Sequence, residues 1–171
     1  MFIIQVFLFT ICSFVLFLAA YNHYYMQNGI VTKRGAGLLV FRRFDSQIEY
    51  LLLKASKGSP PKHWSPPKGH MDPGEDDFTA ALRETREEAG YTADDLNIYK
   101  NEQKTINYNG NGKHKIVTFW LAELEDPKKV PTLSKEHTEF KWLPKDDATS
   151  LVGNSNFTDI VTYFHDKIEK L

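Results

Sequence analysis

The sequence predicts an α/β fold in which helices cover a mixed sheet, preceded by one apolar N-terminal helix. Three observations lead to this fold class. Apolar runs of strand length recur after residue 35, and two later segments repeat apolar residues at helical spacing. The first 32 residues differ from the rest because they contain no Asp, Glu, Lys or Arg. Strands with a few interspersed helices are typical of a mixed sheet with helices packed on it.

The first half of the predicted domain holds two strands and a long loop. Residues 36–42 and 49–55 predict buried strands, joined by a polar turn at residues 45–47. Residues 57–74 contain three glycines and five prolines, so we expect a loop without regular structure. A loop of this length in a compact domain tends to be functional.

A helix is predicted from Asp77 to Ala89. Asp76 and Asp77 favour a helix start, and Gly90 favours its end. At about 100° per residue, the apolar side chains of this helix form one stripe suited to the core. The stripe consists of Phe78, Ala81, Leu82, Thr85 and Ala89.

The second half of the domain adds strands and a closing helix. Strands are predicted at 103–108 and 116–123, with a turn at 109–112 between them, and a short strand at 140–143. An amphipathic helix follows, with one face packed on the sheet. Its apolar residues are Phe157, Ile160, Val161, Phe164, Ile168 and Leu171.

Residues 1–25 are predicted to form a separate apolar segment, and residues 33–171 one globular domain. Residues 1–20 are about long enough to span a membrane as a helix, and three tyrosines follow where an interfacial belt would lie. A cleaved signal peptide is the rival, although no basic residue precedes the apolar run. We expect a membrane anchor with a cytosolic domain if residues 1–25 are present. Translation from Met26 would give a cytosolic protein.

Composition excludes several classes of function. The single cysteine, Cys12, lies in the apolar segment, so the domain has no disulfide, thiolate metal site or cysteine nucleophile. A net charge of -1 with interspersed signs gives no broad basic surface, so no nucleic-acid partner is expected. A small, highly charged ligand is easier to accommodate, and we expect the chain to act as a monomer.

Three glutamates of the predicted helix, Glu84, Glu87 and Glu88, lie together on the flank beside the apolar stripe. The repulsion between these three carboxylates destabilises the helix unless a cation offsets it. Mg²⁺, with Mn²⁺ as the alternative, prefers oxygen ligands and bridges carboxylates to substrate phosphates. Such a site suits attack of water on phosphorus. The competing interpretation is a solvated acidic face that pairs with Arg83 and Arg86.

The segment from Gly69 to Tyr91 closely resembles the 23-residue Nudix box, and every fixed position of that pattern is filled. Those positions are Gly69, Glu75, Arg83, Glu84, Glu87, Glu88 and Gly90. Thr85 and Tyr91 stand where the pattern has aliphatic residues. The resemblance implies a Nudix-type α/β/α sandwich. It also implies that Glu84, Glu87 and Glu88 bind metal, with one of them also a candidate base, and that Glu75 and Arg83 orient the helix.

The flanking segments look like the animal subfamily of asymmetrical diadenosine tetraphosphate hydrolases. The segments are LLLKAS, KHWSPPKGHMDPGED, INYNGNGKHKIVTFWLAEL and LSKEHTEFKWL. This resemblance runs from about Gly35 to the C-terminus. It implies metal-dependent attack of water on an end phosphate of diadenosine tetraphosphate, which releases ATP and AMP.

A ligand with two adenosines and four phosphates suits several residues outside the box. Lysines supply positive charge, His63 donates a hydrogen bond, Tyr108 offers a stacking surface, and Phe157 offers either a second one or a core contact. The lysines are Lys68, Lys113 and Lys115, of which the last two are alternatively solvated turn residues.

The resemblance adds Glu136 as a further carboxylate directed at the metals. Lys135 beside it stands where the subfamily commonly has His. His137 is a proton carrier or a satisfied loop histidine, and we favour the second interpretation.

Two other functions stay open. One is a Nudix hydrolase for a different diphosphate, such as a capped RNA end, another nucleoside diphosphate or an inositol pyrophosphate. The other is a non-catalytic dinucleotide-binding module, although such a module would not need every catalytic carboxylate.

Overall fold

The computed structural model describes residues 32–57, 63–110, 113–153 and 155–171. The predicted apolar segment, 1–25, lies outside the described residues, as do residues 58–62 and 111–112 of the predicted loop and turn. Among the helices of the four described ranges, none is both long and apolar enough to cross a membrane.

One mixed sheet of seven strands is formed by the described residues. Its path runs β3-β2-β1-β6-β5, while β4 also pairs with β1 and β7 with β2. Strands β1 and β6 are parallel, and the other paired neighbours are antiparallel. The strands are β1 Thr32–Phe44, β2 Gln47–Ala55, β3 Trp64–Ser65, β4 Lys68–His70, β5 Leu96–Gly110, β6 Lys113–Leu124 and β7 His137–Pro144.

The five predicted strands are present; β2 is extended at its start only, and the other four are extended at both ends. The turn that joins β1 to β2 is shorter than predicted, because Gln47 already belongs to β2. Asp45 and Ser46 form this turn with φ of 47° and 64°. Positive φ at both central residues matches the twist of the flanking strands.

The prediction of an irregular loop over residues 57–74 was wrong for residues 64–65 and 68–70, which form short strands. Strand β3 pairs with β2, and β4 pairs with β1. Two glycines of β1 permit this close approach. A Cβ at Gly35 would lie 2.5 Å from the carbonyl oxygen of Gly69, and one at Gly37 would lie 2.2 Å from that of Pro67.

The first helix, α1, spans Asp77–Ala89 as predicted. Its N-cap, Asp76, accepts a hydrogen bond from the backbone N–H of Thr79, and Gly90 ends it with a φ of 76°. A 3-10 turn follows at Ala93–Asp95.

Two helices close the chain. Helix α2, Lys145–Val152, was not predicted, and α3 spans Ser155–Ile168. Five of the six predicted apolar residues of the C-terminal helix are buried. The prediction was wrong for Leu171, which lies beyond the end of α3 and is 61% exposed.

Two hydrophobic cores lie on opposite faces of the sheet. Leu39 and Phe41 of β1 pack with α2 and α3, whereas Leu38 and Val40 pack with α1. The alternation along β1 follows from the two-residue period of a strand. Helices on both faces of a mixed sheet make the predicted α/β/α sandwich.

Candidate metal and phosphate site

A cleft of about 860 Å³ lies where α1, β4 and the segment 134–137 meet. Lys68, Gly69 and His70 of β4 line it. All three box glutamates also line it, and Glu136 and His137 contribute from the far side. The short strand β4, which the sequence did not predict, therefore places the box loop against the carboxylate helix.

Arg83 holds the acidic residues of the cleft in place. Its guanidinium donates two hydrogen bonds to Glu75, at 2.9 and 2.8 Å, and one to the carbonyl oxygen of His70 at 2.8 Å. A further nitrogen donates to Glu84 at 2.9 Å and to Glu87 at 3.3 Å. A planar guanidinium is suited to this forked recognition, so one side chain links the loop to the helix.

Glu88 is the most buried carboxylate of the three. Its Oε2 accepts a hydrogen bond from the backbone N–H of Lys68 at 2.9 Å, and its Oε1 lies 3.8 Å from Nε2 of His137. Burial raises the pKa of Glu88 to about 7, and the nearby Glu84 and Glu136 act in the same direction. The sequence placed this residue on the flank of α1, and the surrounding elements bury it.

Glu84 packs directly on the backbone of Gly69. A Cβ at Gly69 would lie 2.0 Å from the carboxyl carbon of Glu84, so glycine is required at this position. Burial raises the pKa of Glu84, while Arg83 opposes that change. The box glycine therefore makes the space that holds this carboxylate at the cleft.

The carboxylates suit a hard divalent cation. Their oxygens are the donors that Mg²⁺ and Mn²⁺ prefer, and Glu87 presents a side chain that is 51% exposed to the cleft. Within the described ranges, no three His, Cys, Asp or Glu side chains converge closely enough to hold a metal. Arg83 forms ion pairs with Glu84 at 2.9 Å and with Glu87 at 3.3 Å.

A smaller cavity of about 50 Å³ adjoins the cleft on the α2 and α3 side of the sheet. Tyr108 and Lys115 line it, and it shares Lys68, Gly69 and His70 with the cleft. The Nζ of Lys115 lies 5.8 Å from the centre of the Tyr108 ring. This cavity is much smaller than a nucleoside pocket, so a nucleobase can lie only at its open side.

The Phe157 ring packs against both His63 and Tyr108. The Phe157 ring centre lies 5.5 Å from that of His63 and 6.2 Å from that of Tyr108. Phe157 is only 1% exposed, so it is a core residue and has no ring face free to stack on a purine. Burial lowers the pKa of His63, with Lys68 and Lys115 adding to the effect.

The remaining predicted residues have different surroundings. Lys113 is exposed and lines neither cavity. Glu136 lines the cleft, where its carbonyl oxygen accepts a hydrogen bond from the N–H of Ser56 at 2.7 Å. The carbonyl oxygen of Lys135 accepts from the Ser56 hydroxyl at 3.3 Å. His137 is bonded to Ser134 at 3.4 Å, yet it also faces Glu88.

Sequence reasoning missed several residues that line the site, and two of them carry ionisable groups near the phosphate path. His70 lines both cavities, and Lys33 lines the smaller one. The position of His70 directly after the box glycine was a usable signal. Lys33 shares the strand alternation of Gly35 and Gly37, which would have placed it on the same face.

The fold and the acidic box together define a class of protein. A family model for the NUDIX domain matches residues 31–162. The chain belongs to the Nudix family, whose hydrolases depend on divalent metals.

Individual relatives are more specific. The chain is 44% identical to an asymmetrical bis(5'-nucleosyl)-tetraphosphatase of Caenorhabditis elegans over 131 residues, which are 77% of this chain and 93% of the relative. It is 46% identical to the Mus musculus protein of that name over 124 residues, 69% of this chain and 83% of the relative.

Solved structures agree with these relatives. The binary complex of a C. elegans Ap4A hydrolase superposes with a TM-score of 0.77 at 40% identity, covering 81% of this chain and 99% of the other. RenU, a Nudix hydrolase of M. smegmatis, superposes with a TM-score of 0.67 at 20% identity, covering 82% and 88%. The second similarity concerns the fold alone.

Proposed function

We propose that this chain hydrolyses diadenosine tetraphosphate asymmetrically to ATP and AMP. One observation carries the proposal: the cleft lined by the three box glutamates shares Lys68, Gly69 and His70 with the cationic cavity beside Tyr108. A polyphosphate bound along that path would have carboxylates at one end and a stacking ring at the other. The names of the Caenorhabditis elegans and Mus musculus relatives support the same substrate.

The metal-binding residues in this proposal are Glu84, Glu87 and Glu88, with Glu136 from the far side of the cleft. Mg²⁺ is the proposed ion and Mn²⁺ the alternative. A bound divalent ion neutralises phosphate oxygens and lowers the pKa of a water ligand. Arg83 and Glu75 keep the helix and loop in register, so that the carboxylates face the substrate.

The remaining residues bind and orient the substrate. Lys68 and Lys115 provide point charges for the phosphates. His63, which lines neither cavity, is proposed to contribute a hydrogen bond. Tyr108 stacks on an adenine, while Phe157 fixes the Tyr108 ring from within the core. Lys113 adds positive charge at the rim only.

In the reaction, water attacks an end phosphorus of the tetraphosphate, and the bond from that phosphorus to the bridging oxygen breaks. The bridging oxygen leaves with the triphosphate as ATP, and the water oxygen stays on AMP. One of the three box glutamates accepts the proton of the water.

The test is incubation of the full chain with Mg²⁺ and diadenosine tetraphosphate in water enriched in ¹⁸O. We expect AMP and ATP in equal amounts, with the label in AMP. Label in ATP would mean attack on the neighbouring phosphorus, and absence of both products at ample enzyme would refute the proposal. A parallel panel of capped RNA, nucleoside diphosphate and inositol pyrophosphate substrates tests the other Nudix reactions. Binding of the dinucleotide without turnover would indicate the non-catalytic module.

The chain is further proposed to consist of an apolar segment, 1–25, and a monomeric hydrolase domain, 33–171. The segment is proposed to anchor the domain to a membrane where it is present, leaving the domain in the cytosol. Fractionation of cells that express the full chain and a form started at Met26 tests this arrangement. Equal partition of both forms would contradict the anchor, and light scattering of the shorter form measures its mass.

A further inference from the structure

We infer that Lys33 is a further phosphate-binding residue, which acts with Lys115 as a cross-strand pair and favours substrates with longer phosphate chains. The inference rests on the proposed function, because it concerns the same polyphosphate path. Lys33 lies outside the Nudix box, on the first described strand.

The sheet register places Lys33 in one row with two residues of the site. Lys33 pairs with Lys115 across β1 and β6, and Lys115 pairs with Tyr108 across β6 and β5. Residues directly opposite each other on neighbouring strands share a face, so all three side chains line the smaller cavity. The adjacent Arg34 ion-pairs with Asp77 of α1 at 2.8 Å. Arg34 lines the cavity too, but Asp77 partly neutralises its charge, whereas Lys33 has no such ion pair among the described residues.

Two like charges directly opposite in a sheet destabilise it unless an anion lies between them. Across the described ranges, no acidic side chain forms an ion pair with Lys33 or Lys115. Burial lowers the pKa of Lys115, and the charges of Lys68 and Lys33 lower it further. Lys68 also faces the carboxylates of Glu84 and Glu88, whereas Lys33 and Lys115 have no such counter-charge among the described residues, and a phosphate chain supplies it.

The location of this pair indicates which phosphates it contacts. The cleft with the carboxylates and the smaller cavity share Lys68, Gly69 and His70, and His70 pairs with Gly35 of β1. Lys33 is two residues farther along β1, so it lies about 7 Å beyond the level of His70. A phosphate chain that begins at the carboxylates passes Lys68 before it reaches Lys33. Short chains cannot contact both ends of this path, and longer chains can.

The experiment compares the wild-type full chain with Lys33→Gln and with Lys128→Gln. Lys128 is a matched control, because it is an exposed loop lysine that lines neither cavity. Initial rates are measured with diadenosine tri-, tetra- and pentaphosphate. We expect Lys33→Gln to raise KM for the pentaphosphate about fivefold and for the triphosphate little, with kcat unchanged. Lys33→Arg should restore the wild-type KM, which separates loss of charge from loss of fold.

A second measurement does not depend on hydrolysis. Calorimetry of the metal-free proteins with linear inorganic pentapolyphosphate, which has the longer chain, should give about fivefold weaker binding for Lys33→Gln than for wild type and Lys128→Gln. If the wild type hydrolyses no dinucleotide, the proposed function fails while this binding comparison still decides the role of Lys33. Equal binding by wild type and Lys33→Gln, including no binding by either, overturns the inference. An equal change in KM for all three dinucleotides overturns the preference for longer chains.

Discussion

Glu88→Gln should raise the free energy of unfolding of the metal-free chain at pH 8 and change it little near pH 4.5. Glu88 is 8% exposed, and burial raises its pKa from 4.5 to about 7. Below pH 4.5 the carboxyl is protonated in both the folded and the unfolded chain. As the pH rises from 4.5 to 7, the unfolded chain loses this proton while the folded chain retains it. The folded state is therefore progressively destabilised, and the loss levels off above pH 7.

The magnitude follows from the interval between the two pKa values. At about 1.4 kcal/mol per pH unit, an interval from 4.5 to about 7 lowers the free energy of unfolding by about 3 kcal/mol. Glutamine does not titrate, and its amide oxygen can accept the hydrogen bond that the N–H of Lys68 donates to Glu88. The free energy of unfolding of Glu88→Gln should therefore not fall in this way as the pH rises.

The assay is denaturant unfolding in EDTA at pH 4.5, 6, 7 and 8, with Glu125→Gln as an exposed control. The advantage of Glu88→Gln should grow with pH to about 3 kcal/mol, whereas Glu125→Gln should follow wild type. Adding Mg²⁺ at pH 8 should reduce or reverse the advantage, because metal binding stabilises only a chain with its carboxylates intact. A difference that does not vary with pH, or a wild type that is the more stable protein at pH 8 in EDTA, would refute the reasoning.

Three further predictions concern neighbouring positions. Glu87→Gln should lower turnover about 100-fold or more with the fold intact, because a proposed metal ligand is lost, as initial rates and circular dichroism will show. Gly69→Ala should cost about 1–3 kcal/mol of stability in denaturant unfolding and most of the turnover, because its methyl group would lie 2.0 Å from the Glu84 carboxyl carbon. Thr85→Val should raise the free energy of unfolding by about 1 kcal/mol, because the buried hydroxyl has no hydrogen-bond partner among the described residues.

Each of these changes has a control. Glu125→Gln should keep wild-type turnover, and a similar loss there would mean that Glu87 acts only through general charge. If Gly69→Ala keeps the wild-type turnover, the close contact between Gly69 and Glu84 is not needed for activity. Thr118→Val is the counterpart of Thr85→Val, because the Thr118 hydroxyl is hydrogen-bonded to that of Thr105 at 3.1 Å. Equal stabilisation by both changes would contradict the argument from the unpaired hydroxyl.

Local chemistry made α1 predictable at both ends. Asp76 caps the first turn through its own side chain, and Gly90 adopts the left-handed conformation that ends a helix. The same kind of signal was present for α2, where Asp146 and Asp147 lie in the first turn and Gly153 ends the helix with a φ of 55°. Its N-cap, Pro144, makes no side-chain hydrogen bond, so the acidic first turn and the terminal glycine are the signals that could have predicted this helix.

Strands β3 and β4 could not be predicted in this way, because their partners lie elsewhere in the chain. Only two or three residues pair in each, and the pairing depends on β2 and β1. A proline-rich sequence predicts a loop unless the neighbouring edge of the sheet is known. Tertiary hydrogen bonding overrides the local preference here.

Helical periodicity placed the three box glutamates on one flank, but it could not distinguish their environments. An angle around a helix does not reveal what covers each side chain. Glu88 is covered by Lys68 and His137 from two other elements, whereas Glu87 is left half exposed. Phe157 shows the same limit, since its burial depends on His63, Tyr108 and Phe119.

The parallel pairing of β1 with β6 has a consequence for synthesis on the ribosome. Thr32 is paired with His114, so the central pair of the sheet joins positions far apart in the chain. The carboxylate helix emerges well before β6, which carries Lys115 and completes the phosphate side of the site. Because non-local pairing must wait for its later partner, the nascent chain carries its acidic residues before a polyphosphate can be held against them.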